Sequence, residues 1–270
     1  MRRWLYILIF VLSSTLLSGE NYHQEHENIL SVQYGGLWQQ DQYFSPLVYS
    51  GQQVGLRNEW WQQFQCDKIG RWQHVGKAQI SGGMAYSGQW NNSIYSIGLQ
   101  GGWGVLHTWK WQRIGLQAMV GPHLNINLIG RMHTSIVNNP FSMDLGADIC
   151  AMGGLSWAFK TKKTSYRLRY IARVNAIGVD YMPDYWQSYY EQLKGVPGQI
   201  RCSGVWNHRH LQHELTFDMQ LKRSTWRVGV AHEYLEYGMP EMMFSQETVS
   251  AILGCIWQYK INPAKSLVVW

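Results

Sequence analysis

Charge is scarce in this chain. Asp, Glu, Lys and Arg make up 15% of its 270 residues, against about 25% in an average soluble domain. Proline is also sparse, at 7 residues. Past residue 19 no apolar run approaches the ~20 residues of a membrane-spanning helix, which excludes a helical membrane protein. The 4 cysteines include no CxxC pair, so no metal cluster of the thiolate kind is expected. There is no GxSxG and no glycine-rich phosphate loop, which excludes hydrolases and nucleotide binders defined by those motifs. No cofactor is expected. Arg2 and Arg3 account for two of the formal +6 charge, and the mild remainder gives no reason to expect nucleic acid.

The chain opens with Arg2 and Arg3, then an apolar run from Trp4 to Leu12 that continues through small and apolar residues to Gly19; the first acid is Glu20. That is the layout of a secretory signal peptide. It gives two parts, a signal at 1–19 and a single domain at 20–270. Aromatics are 14% of the residues, with 15 Trp, and glycines number 27. Many aromatics, many glycines and few charges in an exported chain fit a transmembrane β-barrel better than a soluble enzyme.

Alternation of apolar and polar residues carries the fold reading. In His213–Lys222, Leu215, Phe217, Met219 and Leu221 alternate with Glu214, Thr216, Asp218 and Gln220. In Ser165–Ile177, Tyr166, Leu168, Tyr170, Ala172 and Val174 oppose Arg167, Arg169, Arg173 and Asn175. Similar segments give about ten strands. They are joined alternately by short turns (65–71, 110–111, 161–163, 222–224) and longer loops (39–51, 131–146, 180–209, 238–247), with Asn91 and Asn92 forming a short turn on the loop side. The expected fold is a closed antiparallel up-and-down transmembrane β-barrel, with short periplasmic turns and longer outer loops. Twelve strands is the alternative, using 196–205 and the tail 261–270. Trp60, Trp72, Trp109, Trp111, Trp157, Tyr166, Trp226, Trp257 and Tyr259 flank the short turns as one interfacial girdle. Tyr86, Trp90, Tyr95, Tyr181, Tyr234 and Tyr237 form the other. The strands run longer than the ~9–11 residues a membrane requires, and far longer than the ~5–6 usual in a soluble sandwich.

With apolar faces toward lipid, the opposite faces line a lumen. They carry Arg57, Glu59, Lys77, Gln117, His123, Asn125, Asp148, Arg167, Arg169, Arg173, Glu214, Asp218, Arg227 and Glu233. Ten strands enclose little space, and buried charges must pair, so the expected lumen is plugged or narrow. A cation-repelling path along Arg167, Arg169 and Arg173 is the alternative. No catalytic constellation is evident. His208, His210 and His213 read as solvated loop histidines, because no third ligand accompanies the first two at a convincing spacing, and no metal site is assigned. The aromatic stretch 180–191 offers Asp180, Asp184, Tyr185, Trp186, Tyr189, Tyr190 and Glu191 as outer-loop candidates. Two uses are open for it: an envelope-lipid hydrolase in which Asp180, Asp184 or Glu191 assists a bound cation, and a surface-binding module. Cys66 and Cys202 fall at opposite ends of the barrel, and Cys150 and Cys255 face opposite ways, so no disulfide is expected.

Three segments carry a resemblance. Tyr43-Phe44-Ser45-Pro46-Leu47-Val48-Tyr49-Ser50-Gly51 resembles the YLSPL-x-Y-x-G opening of an uncharacterised Bacteroidetes family, domain of unknown function 3316. Asn138-Asn139-Pro140 resembles its NNP loop. The stretch from Pro183 to Glu191 resembles its P-x-Y-G-x-SYYE segment, with Trp186 where the family has Gly. The resemblance implies an outer-membrane barrel without an assigned activity. The expected partners are therefore outer-membrane lipid and the barrel-assembly machinery, with the protein a monomer in the cell outer membrane.

Overall fold

The computed structural model of the protein describes residues 24–261, except 67–69, 89–91, 135–139, 162–163, 183–198, 222–223 and 240–241. The expected signal segment at 1–19 and the tail 262–270 lie outside it. The described residues are β-strand and turn throughout: β1 (Gln24–Asp41), β2 (Ser45–Cys66), β3 (Gly70–Tyr86), β4 (Ser93–Trp111), β5 (Leu116–His133), β6 (Phe141–Lys160), β7 (Ser165–Met182), β8 (Gln199–Gly204), β9 (His208–Gln220), β10 (Thr225–Met239) and β11 (Met242–Ile261). Sequence neighbours pair antiparallel except β8 and β9, which both pair with β7, and β1 pairs with β11 from Gln24↔Ile261 to Asp41↔Phe244, which closes the cylinder.

The barrel has ten lanes, because β8 and β9 share one. β9 pairs with β7 from Ser165↔Gln220 to Val174↔Leu211, and β8 takes over from Ile177↔Gly204 to Met182↔Gln199. The expected extra strand near 196–205 is thus real, but it continues an existing lane rather than adding one.

Several segments expected as loops are strand. The 39–51 connection shrinks to the turn 42–44, and 238–247 shrinks to the residues between Met239 and Met242. Alternation is weak there, because strand ends that project beyond the apolar band have water on their outer face and need no apolar residue on it. The short-turn end has a tight turn before Leu116, where Gly115 takes a positive φ of 68°. A side chain there would meet the Ala158 carbonyl oxygen at 2.0 Å.

The outer wall is apolar. Leu30, Val32, Leu56, Leu99, Leu124, Leu155, Leu215 and Leu253 all stand exposed, as a lipid-facing surface requires. Trp60, Trp109, Trp111, Trp157, Trp226 and Trp257 ring the short-turn end on the outside. In the opposite girdle Tyr95 is exposed, but Tyr237 is buried and faces inward; its hydroxyl donates to Asp144 at 2.6 Å, a partner a lipid-facing Tyr would lack.

The interior is not purely polar, which departs from the simple inside–outside rule. Ile29, Trp61, Val75, Leu106, Met119, Met152, Ile171 and Ile256 form a buried apolar cluster within the lumen. They come from β1 to β7 and from β11. The lane of β9 and the strand β10 contribute none, and there Asp218 and Arg227 stand instead. Below this cluster, toward the short turns, lies a cavity of about 450 Å³ lined by Glu27, Gln63, Lys110, Gln117, Arg167 and Arg169 among others.

Candidate functional site

The twelve charged or imidazole side chains expected in the lumen all point into it. Arg57, Glu59, Lys77, His123, Asp148, Arg169, Arg173, Glu214, Asp218 and Arg227 are buried; Arg167 and Glu233 are partly so. Eight lumen charges form one chain of alternating sign. Glu214 takes both Arg57 Nη1 and Nη2 at 2.8 Å. Arg57 Nε lies 3.3 Å from Glu59, and Glu59 lies 3.3 Å from Arg227. Arg227 donates to Asp218 at 2.7 and 3.0 Å. Asp218 accepts from Arg167 Nε at 2.9 Å, and Arg167 donates to Glu27. Glu27 ends the chain on Arg169 at 2.8 Å, and the Arg169 guanidinium lies 4.6 Å above the Trp61 ring. Glu27 was not foreseen as a lumen residue. Its signal was present, since it precedes Ile29 and Ser31 by even steps on the inward face of β1.

Four carboxylates therefore meet four guanidiniums. In a low-dielectric interior each charge needs both a counter-charge and directed hydrogen bonds. Arginine supplies both, because its planar fork bridges two acids at once. The void beside Arg57 and Glu214 is only about 30 Å³, and one beside Gln100 and Glu233 about 40 Å³, room for a few water molecules at most. Among the described residues the three arginines of the alternative path are engaged: Arg167 and Arg169 are bound to acids, and Arg173 donates to Gln212 at 3.2 Å.

A different group sits toward the long-loop rim. Asp148 on β6, Asp180 on β7, His208 and His210 on β9, and Glu233 on β10 converge there. His208 Nδ1 stands 2.8 Å from Asp180 Oδ2, and His210 Nε2 stands 2.9 Å from Glu233 Oε1. Asp148 is fully buried. Its carboxylate oxygens lie 3.7 Å from His208 Nδ1 and 3.9 Å from His210 Nδ1, with no hydrogen bond to either oxygen among the described residues.

A β-bulge builds this group. Cys150 pairs with Asn175 and Ile149 with Ile177, so Ala176 is left over. A bulge of one residue flips the alternation beyond it. Arg169, Ile171, Arg173 and Asn175 face in before it; Asp180 and Met182 face in after it. Without the bulge Asp180 would point at lipid. Asn175 stitches the strand break opposite. Its Nδ2 donates to the His208 carbonyl at 2.6 Å, and its Oδ1 accepts the His210 N–H at 2.9 Å. Gly178 leaves the space that Asp148 fills, since a Cβ there would lie 2.4 Å from Asp148 Oδ1.

The expectation of solvated loop histidines is overturned for two of the three. His208 and His210 are buried strand residues, because β9 begins at His208 and its even positions face inward. His213 has the opposite parity and stacks on Tyr170 and His232 instead. Asp180, expected in a loop, ends in the lumen. Asp184, Tyr185, Trp186, Tyr189, Tyr190 and Glu191 lie outside the described residues. Cys150, Cys202 and Cys255 are free thiols.

Solved structures with this architecture are outer-membrane barrels. The outer membrane protease OmpT from Escherichia coli superposes with a TM-score of 0.50 at 6% identity, covering 90% of this chain and 99% of that one. The transport unit of the autotransporter AIDA-I from Escherichia coli gives 0.42 at 11%, covering 94% and 97%. The translocator domain of the autotransporter NalP from Neisseria meningitidis gives 0.32 at 11%, covering 94% and 95%. No curated protein matches the chain significantly. A family model described as a protein of unknown function, DUF3316, matches residues 4–262, so the chain belongs to the DUF3316 family.

Proposed function

We propose that this protein is a monomeric outer-membrane barrel with a plugged, non-conducting lumen, placed by the barrel-assembly machinery and working from its long-loop rim. The observation that carries this reading is the unbroken chain from Glu214 to Arg169, in which every arginine is held by at least one acid. An ion entering it must separate a buried pair, and leaving either partner alone costs about 3–5 kcal/mol. The apolar cluster of Ile29, Trp61 and Met152 fills the sector the ion pairs leave. The apolar outer wall and its tryptophan ring favour the outer membrane as the location.

Planar lipid bilayers test this directly. The purified protein is expected to give no discrete conductance steps, and regular ohmic steps from the wild-type protein would overturn the plug. Membrane fractionation tests the location: the mature chain is expected in the outer-membrane fraction, and a soluble periplasmic pool would overturn it.

A second reading has one observation in its favour. The Asp180–His208 pair beside Asp148 places acids and imidazoles together under the outer rim, the materials of cation-assisted hydrolysis. An envelope-lipid hydrolase of this kind would change the lipid A mass spectrum of cells that overproduce the protein, and would cease to do so in an Asp180→Asn variant. The OmpT likeness, at 6% identity, lends no activity to either reading.

A further inference from the structure

We propose that Asp148, His208 and His210 form a binding site for one divalent transition-metal ion of the zinc class, inside the barrel below the long-loop rim. One ligand atom from each residue can be chosen so that all three lie within 4.8 Å of one another, and all three residues are buried. The site goes beyond the plug, and neither its existence nor its test requires the barrel to be an enzyme.

The donors fit the ion. Zinc binds imidazole nitrogen and carboxylate oxygen at about 2.0–2.2 Å. Two ligand atoms on one tetrahedral ion then stand roughly 3.4 Å apart. The Asp148 oxygens are 3.7 and 3.9 Å from the imidazole nitrogens, too far to hydrogen-bond and a small side-chain rotation from shared coordination. A full hydrogen-bonded network would have closed these gaps. Instead both Asp148 oxygens are buried without a hydrogen bond among the described residues, and so is His208 Nε2. Leaving a buried carboxylate undirected is costly; a cation between it and the two rings removes that cost.

The surrounding shell fits as well. Metal-binding histidines commonly pass their second nitrogen to a carboxylate, which fixes the ring and raises its basicity. His210 does so, with Nε2 on Glu233 at 2.9 Å and Nδ1 toward Asp148; at His208 the nitrogen that faces Asp148, Nδ1, also meets Asp180 at 2.8 Å, so coordination there draws Nδ1 from Asp180 onto the ion. The nitrogen of His210 that faces Asp148 is thus the one its carboxylate partner leaves over. The remaining His210 nitrogen, Nδ1, has only a 3.4 Å contact from the Asn125 amide. With three protein ligands, a tetrahedral ion keeps one position for water or another small ligand.

The test uses the full mature barrel, without a polyhistidine tag, folded in detergent and stripped with a chelator. Zinc chloride is titrated against a chromogenic chelator. The expected result is one ion per barrel. His210→Ala and Asp148→Asn are each expected to weaken binding by about tenfold or more. His213→Ala, on the outer wall, is expected to leave it unchanged. Heat-modifiable gel mobility verifies that each variant is folded; should one fail to fold, X-ray absorption on the zinc-loaded wild-type protein decides, with two imidazoles and an oxygen expected in the coordination sphere. No stoichiometric binding, or binding equal in wild type and His210→Ala, would overturn the site, as would a sphere of thiolate or water alone.

Discussion

Toward the short turns, Arg57, Arg227, Arg167 and Arg169 interleave with Glu214, Glu59, Asp218 and Glu27, and no acid in that group is without an arginine. Toward the long loops, Asp148 has only histidines within 4 Å among the described charged residues, and Asp180 has His208. Both groups are buried, and both stand on inward positions of the same strands: β7 and β9 carry members of each. The difference lies in the counter-ion. An arginine is permanently charged and brings five donors, so it can close a network by itself. An imidazole has two nitrogens, and when one serves a carboxylate the other is spare. In the first group every acid has a guanidinium for its counter-ion, whereas Asp148 in the second has imidazoles alone, although Arg131 holds Asp41 and Asp144 at the same end of the lumen.

The sharpest way to break this contrast is Arg227→Ala. It leaves Asp218 and Glu59 without their shared partner, and a loss of about 3–5 kcal/mol is expected. Unfolding in urea, followed by gel mobility in the presence of lipid, reads it. Arg173→Ala is the control. Arg173 donates only to the neutral Gln212 among the hydrogen bonds described, so its removal is expected to cost much less. Equal losses would mean that the alternating chain is not what holds the lower lumen.

The wall that surrounds both halves is tested next. Leu215 faces outward between inward Glu214 and Thr216. Leu215→Arg is expected to cost about 2–4 kcal/mol if it lies near the bilayer midplane. A neutral result would place Leu215 in water and undo the inside–outside assignment on which both halves rest.

Those assignments were legible in the sequence wherever the period of two runs unbroken. Glu214, Asp218, Arg227, Arg167, Arg169 and Arg173 all face inward as their alternation predicts, because one face of each strand meets lipid and the other does not. The same rule failed at 180. The alternation of Ala172 and Val174 gives way to that of Ile177 and Val179, a slip of one residue. That slip was visible in the sequence, and it is the bulge at Ala176. Read as a loop, the segment hid Asp180. The third metal ligand was hidden for a different reason. Asp148 is 60 residues from His208 in the chain, and only the register Asp148↔Gly178 with Gly178↔Ser203 brings β6 and the β8–β9 lane together. Pairing partners across a barrel are set by strand count and stagger, which local spacing does not report. Inward apolar residues such as Ile29 and Ile171 were also missed or left unplaced, since a lipid-facing and a lumen-filling isoleucine look alike in a pattern.

Asn175→Ala sharpens the comparison at the join. Its amide replaces two ladder hydrogen bonds where β8 gives way to β9. A loss of about 1–3 kcal/mol is expected from the exposed pair of backbone groups, together with weaker zinc binding, because the backbone of His208 and His210 is what the amide holds. Arg57 and its partners lie elsewhere in the lumen, so the conductance is expected to stay at zero. A variant that lost stability but kept full zinc affinity would separate the bulge from the site.

The smallest effect carries the contrast in its sign. In the lower lumen, Asp218→Asn removes a charge that Arg227 and Arg167 both use, so it is expected to destabilise. In the upper lumen, Asp148→Asn removes a carboxylate that no described hydrogen bond supports. With a chelator present, that substitution is expected to be neutral or to stabilise by up to about 1 kcal/mol, since the burial of an undirected charge is relieved. With saturating zinc the order reverses, because only the wild-type carboxylate holds the ion and binding to the folded state alone stabilises it. Thermal unfolding of the two proteins with chelator and with zinc gives four curves. A wild-type protein that melts at the same temperature in both conditions would return Asp148 to the class of ordinary plugged charges, and the two halves of the lumen would then differ in composition only.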